Sequence, residues 1–154
     1  MRNAVRVLLL DEADRLLLLR VNVPATRRAL WIAPGGGLED GEDIRLTAAR
    51  EVAEETGLPE LALGAEVWRR RHVFTWRGTT WDQRERWFMA RVASFEPTAD
   101  GMTAEEREDL VGFRWWTLRA LETTPDELAP RDLAARFGEL LANGPPREPI
   151  EIGR

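Results

Sequence analysis

The sequence contains no cysteine, no tyrosine and no lysine among its 154 residues. Without cysteine it can form no disulfide, thiolate nucleophile or cysteine-ligated metal site, and without lysine it can form no Schiff base with a carbonyl substrate. It also lacks the run of about 18 apolar residues that a membrane-spanning helix needs. The apolar run Val7–Leu10 ends at Asp11 and has no small-residue cleavage site after it, so we expect no signal peptide and a cytoplasmic location.

The composition, with 44% hydrophobic and 32% charged residues, is typical of a folded globular chain. The length suits one domain over residues 1–154, with 143–154, which contains three prolines, as an extended or loose tail. The net charge of -5 argues against a nucleic-acid partner, and nothing indicates a membrane partner. The sequence does not determine whether the chain forms a homodimer.

The clearest predicted helix is Asp40–Thr56. Asp40 or Asp43 can cap its first turn, and Gly57 stands where a helix commonly ends in the left-handed conformation. Ile44, Ala48 and Val52 recur every four residues and form its predicted buried stripe.

The segments around this helix resemble strands. Two short apolar runs joined by a polar turn, Val5–Leu10 and Arg15–Val21, predict a hairpin. Further extended segments are predicted at Leu30–Ile32, Leu61–Trp76, Trp81–Phe95 and Gly112–Thr117, with a loop at Pro97–Glu108 and a closing helix at Asp132–Leu141. Strands on both sides of a helix, followed by a second helix, predict an α/β fold with a mixed sheet between helices.

Three carboxylates share one face of the predicted helix. Glu51, Glu54 and Glu55 stand at positions i, i+3 and i+4, so they project together and repel one another. A cation would remove the repulsion, and oxygen ligands without His or Cys favour Mg²⁺ or Mn²⁺ over zinc. Arg50 can steady the carboxylates, and the glycines at 35 to 37 allow close approach of the backbone. Taken alone, the glutamates could equally be a solvated helix face.

The segment Gly36–Leu58 as a whole resembles the Nudix box, G-x5-E-x7-R-E-U-x-E-E-x-G-U, where U is aliphatic. The matching residues fill every defined position of that pattern: Gly36, Glu42, Arg50, Glu51, Val52, Glu54, Glu55, Gly57 and Leu58. The stretches Trp31–Gly36 and Arg114–Leu118 also resemble the family, more loosely.

The resemblance implies a Nudix-type α/β/α sandwich with a loop–helix–loop catalytic motif. It implies that Glu51, Glu54 and Glu55 bind Mg²⁺, with Mn²⁺ as a substitute, and that the carbonyl of Gly35 adds a ligand. Either Glu51 or a later carboxylate would be the general base; among the acidic residues of 105–109 we favour Glu106. Arg50 would hold the carboxylates in place, and Glu42 would organise the loop.

The expected partner is a small nucleotide. Arginines near the glycine loop and on the strand after the helix could contact phosphate, and an indole could stack on a base. The candidates are Arg20, Arg28, Arg70 and Trp76. His72, the only histidine, is expected to be a plain strand residue.

The resemblance implies hydrolysis of a pyrophosphate bond in a nucleoside diphosphate linked to another group. Relatives in the resembled family that act on dinucleoside polyphosphates often have a tyrosine near the box, and those that act on ADP-ribose often have a proline beyond it. This sequence has no tyrosine and no proline between Pro59 and Pro97, so the resemblance disfavours both substrates. A nucleoside triphosphate or a modified nucleotide remains by elimination. The alternatives are an ADP-sugar, dinucleoside polyphosphate or capped-RNA hydrolase, and, from another class, a non-catalytic nucleotide sensor.

Overall fold

The computed structural model describes residues 1–153, which form eight strands and four helices. The strands are β1 Arg2–Leu10, β2 Leu16–Asn22, β3 Ala29–Ile32, β4 Gly35–Gly37, β5 Glu66–Trp76, β6 Thr79–Arg91, β7 Leu110–Trp116 and β8 Ile150–Glu151. The helices are α1 Ile44–Thr56, α2 Ala104–Asp109, α3 Leu118–Thr123 and α4 Leu133–Asn143. In this part of the chain no helix is long and apolar enough to cross a membrane.

The strands form one mixed sheet in the order β3-β2-β1-β6-β5-β8, with β4 also paired to β1 and β7 to β2. Its centre is the parallel pair β1 and β6, matched from Arg2 opposite Gln83 to Leu10 opposite Arg91. The predicted first hairpin is confirmed, since Leu10 lies opposite Leu16 in antiparallel β1 and β2.

Helices cover both faces of the sheet because its central strands are apolar on both sides. On one face Val5, Val7 and Leu9 of β1 pack with Ala48 and Val52 of α1. On the other face, the neighbouring residues of β1 pack with the side chains of α3 and α4, in a cluster that includes Leu8, Leu10, Leu121, Leu133 and Phe137. The predicted mixed sheet between helices is confirmed. Trp115 and Trp116 also lie on opposite faces, as their alternation predicts.

Helix α1 begins at Ile44, four residues later than the predicted start at Asp40. Asp43 is the reason: its carboxylate accepts hydrogen bonds from the amide N–H groups of Arg45 and Leu46, which fixes the first turn there. At the other end Gly57 has a φ of 82°, as its position predicts.

Two other segments differ from the predictions, and in the predicted tail the extended alternative holds. The predicted loop Pro97–Glu108 contains most of α2, because Thr103 and Glu106 form a reciprocal capping box. Helix α3 had no predicted counterpart. In the predicted tail, β8 pairs with β5, and Ile152 is buried against the core formed with α4.

Candidate active site

A cleft of about 840 Å³ opens at one end of the sheet, between the glycine strand β4, the end of α1 and the polar ends of β5 and β6. It gathers most of the residues singled out in the sequence: Gly35, Arg50, Glu51, Glu54, Glu55, Glu106, Arg28, Arg70 and Trp76. Arg20 is the exception. Its guanidinium lies over the ring of Trp31, 5.8 Å from the ring centroid, and Arg20 does not line this cleft.

Glu55 is the most deeply placed carboxyl of α1. It is buried one turn after Val52, and its Oε1 accepts a 2.6 Å hydrogen bond from the amide N–H of Gly35. Burial raises the pKa of Glu55 to about 8, although Arg6 and the Gly35 hydrogen bond oppose the shift. Gly35 cannot carry a side chain, because its φ is 155° and a Cβ would collide with the carbonyl oxygen of Val5.

Glu51 lies one turn before Glu55 and faces the same glycine strand. A Cβ on Gly36 would lie 2.6 Å from the Glu51 carboxyl carbon, so the absence of a side chain there makes room for this carboxylate. Burial raises the pKa of Glu51, Arg50 lowers it, and the neighbouring Glu54 and Glu106 raise it further. The site therefore places acidic groups where their negative charge is unfavourable.

Arg50 ties the carboxylates of this region together. Its guanidinium lies 3.2 Å from Glu51, 3.5 Å from Glu54 and 3.1 Å from Glu42. Glu42 in turn accepts a hydrogen bond from the amide N–H of Glu39, which fixes the loop before α1. These contacts join Arg50 to the carboxylates and Glu42 to the loop, and the bracing roles expected of the two residues stay predictions.

Glu106 reaches the cleft from outside the box. It lies in α2, which is fastened to the hairpin turn between β5 and β6 by Arg77. The Arg77 guanidinium lies 2.8 Å from both Glu105 and Asp109. Glu106 itself faces the cleft and raises the pKa of both Glu51 and Glu55.

The donor chemistry of the cleft suits a hard divalent cation. Glu51, Glu54 and Glu55 offer carboxylate oxygens, and the glycine strand offers backbone carbonyls. Burial raises the pKa of Glu51 and of Glu55, so a bound cation would offset the cost of their negative charge. Among residues 1–153 no three acidic or histidine side chains already surround a single ion position. Glu51 and Glu54 instead share the guanidinium of Arg50, and Glu55 accepts the hydrogen bond from the Gly35 amide.

The sequence analysis missed a second group of polar residues in the cleft. Arg6 of β1 lies 3.7 Å from buried Glu85 of β6 and donates a 3.1 Å hydrogen bond to the carbonyl of Ala33. Gln83 is buried beside them. The sequence did contain a sign of this group. Arg6 interrupts an apolar strand at an inward-facing position of the sheet, where a charged residue is rarely found without a partner.

Comparisons with known proteins agree with the resemblance of Gly36–Leu58 to the Nudix box. The NUDIX domain family model matches residues 1–137. An RNA pyrophosphohydrolase of Caulobacter vibrioides is 32% identical over 113 residues, which cover 65% of this chain and 61% of the relative. One from Novosphingobium aromaticivorans is 29% identical over 139 residues, covering 84% and 83% of the two chains. The chain thus spans less than two thirds of the Caulobacter relative.

Solved structures share the fold. The MutT protein from Methanosarcina mazei Go1 superposes with a TM-score of 0.67 at 22% identity, covering 90% of this chain and 93% of that one. At this identity the likeness concerns the fold alone.

Proposed function

This chain belongs to the NUDIX domain family, and we propose that it is a metal-dependent hydrolase of a pyrophosphate bond in a nucleoside diphosphate linked to another group. One observation carries the proposal. Glu51 and Glu55, both with a raised pKa, share a cleft with Glu106, glycine backbone and several arginines. Acidic groups suit a cation, and arginines suit phosphate.

Glu51, Glu54 and Glu55, with the carbonyl of Gly35, would hold Mg²⁺, and Mn²⁺ would substitute for it. The bound ion would polarise the phosphoryl oxygens and neutralise charge that develops on them. The chain's own arginines would orient the diphosphate, since Arg6 and Arg28 both line the cleft. Their guanidinium groups can each donate two hydrogen bonds to a phosphate.

The proton of the attacking water goes to a carboxylate. The water oxygen forms a bond to phosphorus, the bridging P–O bond breaks, and the leaving phosphate takes the electron pair. Glu51 and Glu106 are the two candidates for the base.

The favoured substrate is a nucleoside triphosphate or a modified nucleotide. A panel of nucleotides incubated with Mg²⁺ or Mn²⁺ tests this proposal, with pyrophosphate and monophosphate products measured separately. Turnover of free nucleotides, lost on addition of EDTA, is the expected result. Absence of any turnover across the panel with either ion would contradict the enzymatic proposal and favour the nucleotide sensor.

A second candidate is removal of pyrophosphate from the 5′ end of RNA. The names of the two relatives favour it, although the net charge of -5 argues against a nucleic-acid partner. A short RNA with a 5′-triphosphate belongs in the same panel. A kcat/KM for this RNA well above that for each free triphosphate would make RNA the substrate.

A further inference from the structure

A buried amide lies in the wall of the cleft. Gln83, the only glutamine in the sequence, is 1% exposed, and it lines the same cleft as the carboxylates of α1. Its Oε1 is buried and has no hydrogen-bond partner in the part of the chain that the structure describes. An unpartnered buried acceptor is costly, so such groups usually have a role.

Glu85 fixes which way this amide points. The Nε2 of Gln83 donates a 2.8 Å hydrogen bond to Glu85, and the Nε1 of Trp87 donates another of 3.2 Å. Burial alone would raise the pKa of Glu85, but Arg6, Arg70 and the Gln83 hydrogen bond outweigh it and hold the pKa below its usual value. Glu85 therefore stays an acceptor, and a reversed amide would set two oxygens against each other.

Flat side chains lie beside the amide. His72 is directly opposite Gln83 in the paired strands β5 and β6, and its ring stacks on Phe74 with centroids 4.8 Å apart and planes 16° from parallel. Both rings line the cleft. An aromatic surface next to a single fixed acceptor is a suitable environment for one edge of a nucleobase.

We propose that Gln83 determines base specificity: its Oε1 accepts a hydrogen bond from an exocyclic amino group of the bound nucleobase. The inference rests on the proposed function only in taking a nucleotide as the ligand. Glu85 is a positioning residue, because it acts by holding the Gln83 amide in one orientation.

The amino group would give the buried oxygen the donor that it lacks. A base with hydrogen or a carbonyl oxygen at the same place leaves that acceptor unpaired or repels it. The expected discrimination is about tenfold or more in Kd, the usual consequence of leaving one buried polar group without a partner.

Calorimetric titration with nucleoside monophosphates tests the inference without any cleavage, because these ligands contain no pyrophosphate bond. Three pairs differ in an exocyclic amino group: AMP against purine riboside monophosphate, GMP against inosine monophosphate, and CMP against UMP. The unmodified chain in Mg²⁺ buffer should prefer the amino member of at least one pair.

The variant Gln83→Met keeps side-chain length but removes the acceptor, and it should bring the two Kd values of that pair to within about twofold. Arg84→Met is the matched control: Arg84 is exposed on the opposite face of β6, and the preference should survive there. Glu85→Gln removes the fixed orientation of the amide and should weaken the preference without abolishing binding. Circular dichroism checks that each variant is folded.

Equal affinities within every pair for the unmodified chain would overturn the inference, as would no binding of any of the six nucleotides. So would an unchanged preference in folded Gln83→Met, or its loss in Arg84→Met. Amino-group preference in a chain that cleaves no nucleotide would leave this inference standing and refute the proposed hydrolase function.

Discussion

Glu55 and Gly35 are joined by a hydrogen bond of 2.6 Å, in which the amide N–H of Gly35 donates to Oε1 of Glu55. The bond links the last turn of α1 to the glycine strand. It holds a buried carboxyl at the cleft, and a neutral amide side chain could accept the same bond.

Replacing Glu55 with Gln should therefore separate folding from chemistry. Under the proposed function the variant keeps the bond to Gly35 but loses a charged metal ligand, so kcat should fall by about 100-fold or more. Glu54→Gln should act in the same direction. Steady-state kinetics with Mg²⁺ measure the effect, and Glu60→Gln, at an exposed position after α1, is the control. Full turnover in both Glu54 and Glu55 variants would show that these residues are not ligands.

The stability of the metal-free chain should fall as pH rises from about 5 to about 8. The folded-state pKa of Glu55 is raised to about 8 from 4.5, so the folded protein keeps a proton that the unfolded chain loses. Over that window the free energy of unfolding should fall by on the order of 1.4 kcal/mol per pH unit. The carboxylates with a lowered pKa, such as Asp11 and Glu85, lose their contribution only at acidic pH, below this window. His72, whose pKa burial lowers from 6.5, partly opposes the fall in the acidic half of the window.

Urea unfolding in EDTA at several pH values measures this dependence. Glu55→Gln has no such proton to lose, so its stability should change much less over the window. Mg²⁺ added to the unmodified chain at pH 8 should recover stability, because an ion that binds only the folded state shifts the equilibrium towards it. If the free energy of unfolding of the unmodified chain did not change over this pH window, the pKa of Glu55 in the folded protein would be close to its ordinary value.

Gly36→Ala should impair activity more than stability. The new Cβ would lie 2.6 Å from the carboxyl carbon of Glu51, and the flexible end of that side chain has to move away. We expect kcat to fall by about tenfold or more, since small displacements of a catalytic group are costly, with a nearly unchanged melting temperature. Gly112→Ala, where a Cβ meets nothing within 4 Å, is the matched control. Equal kcat in both variants would argue against a role for Glu51.

Arg77→Met should loosen α2 from the hairpin turn. The substitution removes the contacts of 2.8 Å to Glu105 and Asp109, so amide hydrogen exchange over 103–110 should accelerate. We expect a loss of about 1 kcal/mol of stability at most, because these ion pairs are partly exposed. Arg71→Met, which breaks a single exposed pair with Asp82 in the same hairpin, is the control. Unchanged exchange in α2 would mean that the helix is held by its apolar contacts alone.

The sequence predicted the central features of this fold because they rest on local patterns. Two short apolar runs joined by a polar turn predicted β1 and β2, and the four-residue spacing of Ile44, Ala48 and Val52 predicted α1. The start of α1 was wrong by four residues, since both Asp40 and Asp43 are capable caps and only tertiary structure selects between them. Helix α2 was missed because six residues carry too little periodicity to distinguish a helix from a polar loop.

The site was predictable where it depends on one helix, and less so where it depends on pairing between distant strands. Glu51 and Glu55 share a helix face, which spacing alone determines. Arg6, Gln83 and Glu85 meet only because β1 and β6 pair in parallel, with partners 81 residues apart, in a register that no local pattern specifies. Arg20, which was expected to contact phosphate, lies outside the cleft for a similar reason. Its position on β2 places its guanidinium over the ring of Trp31.

Arg50, within reach of Glu42, Glu51 and Glu54, acts as a built-in counter-ion. Under the proposed function, a divalent ion would compete with this guanidinium for the carboxylates of Glu51 and Glu54. The affinity for the ion would then depend on how much more strongly the carboxylates attract the ion than they attract the Arg50 guanidinium. At metal concentrations too low for the ion to displace Arg50, the protein would be folded but inactive.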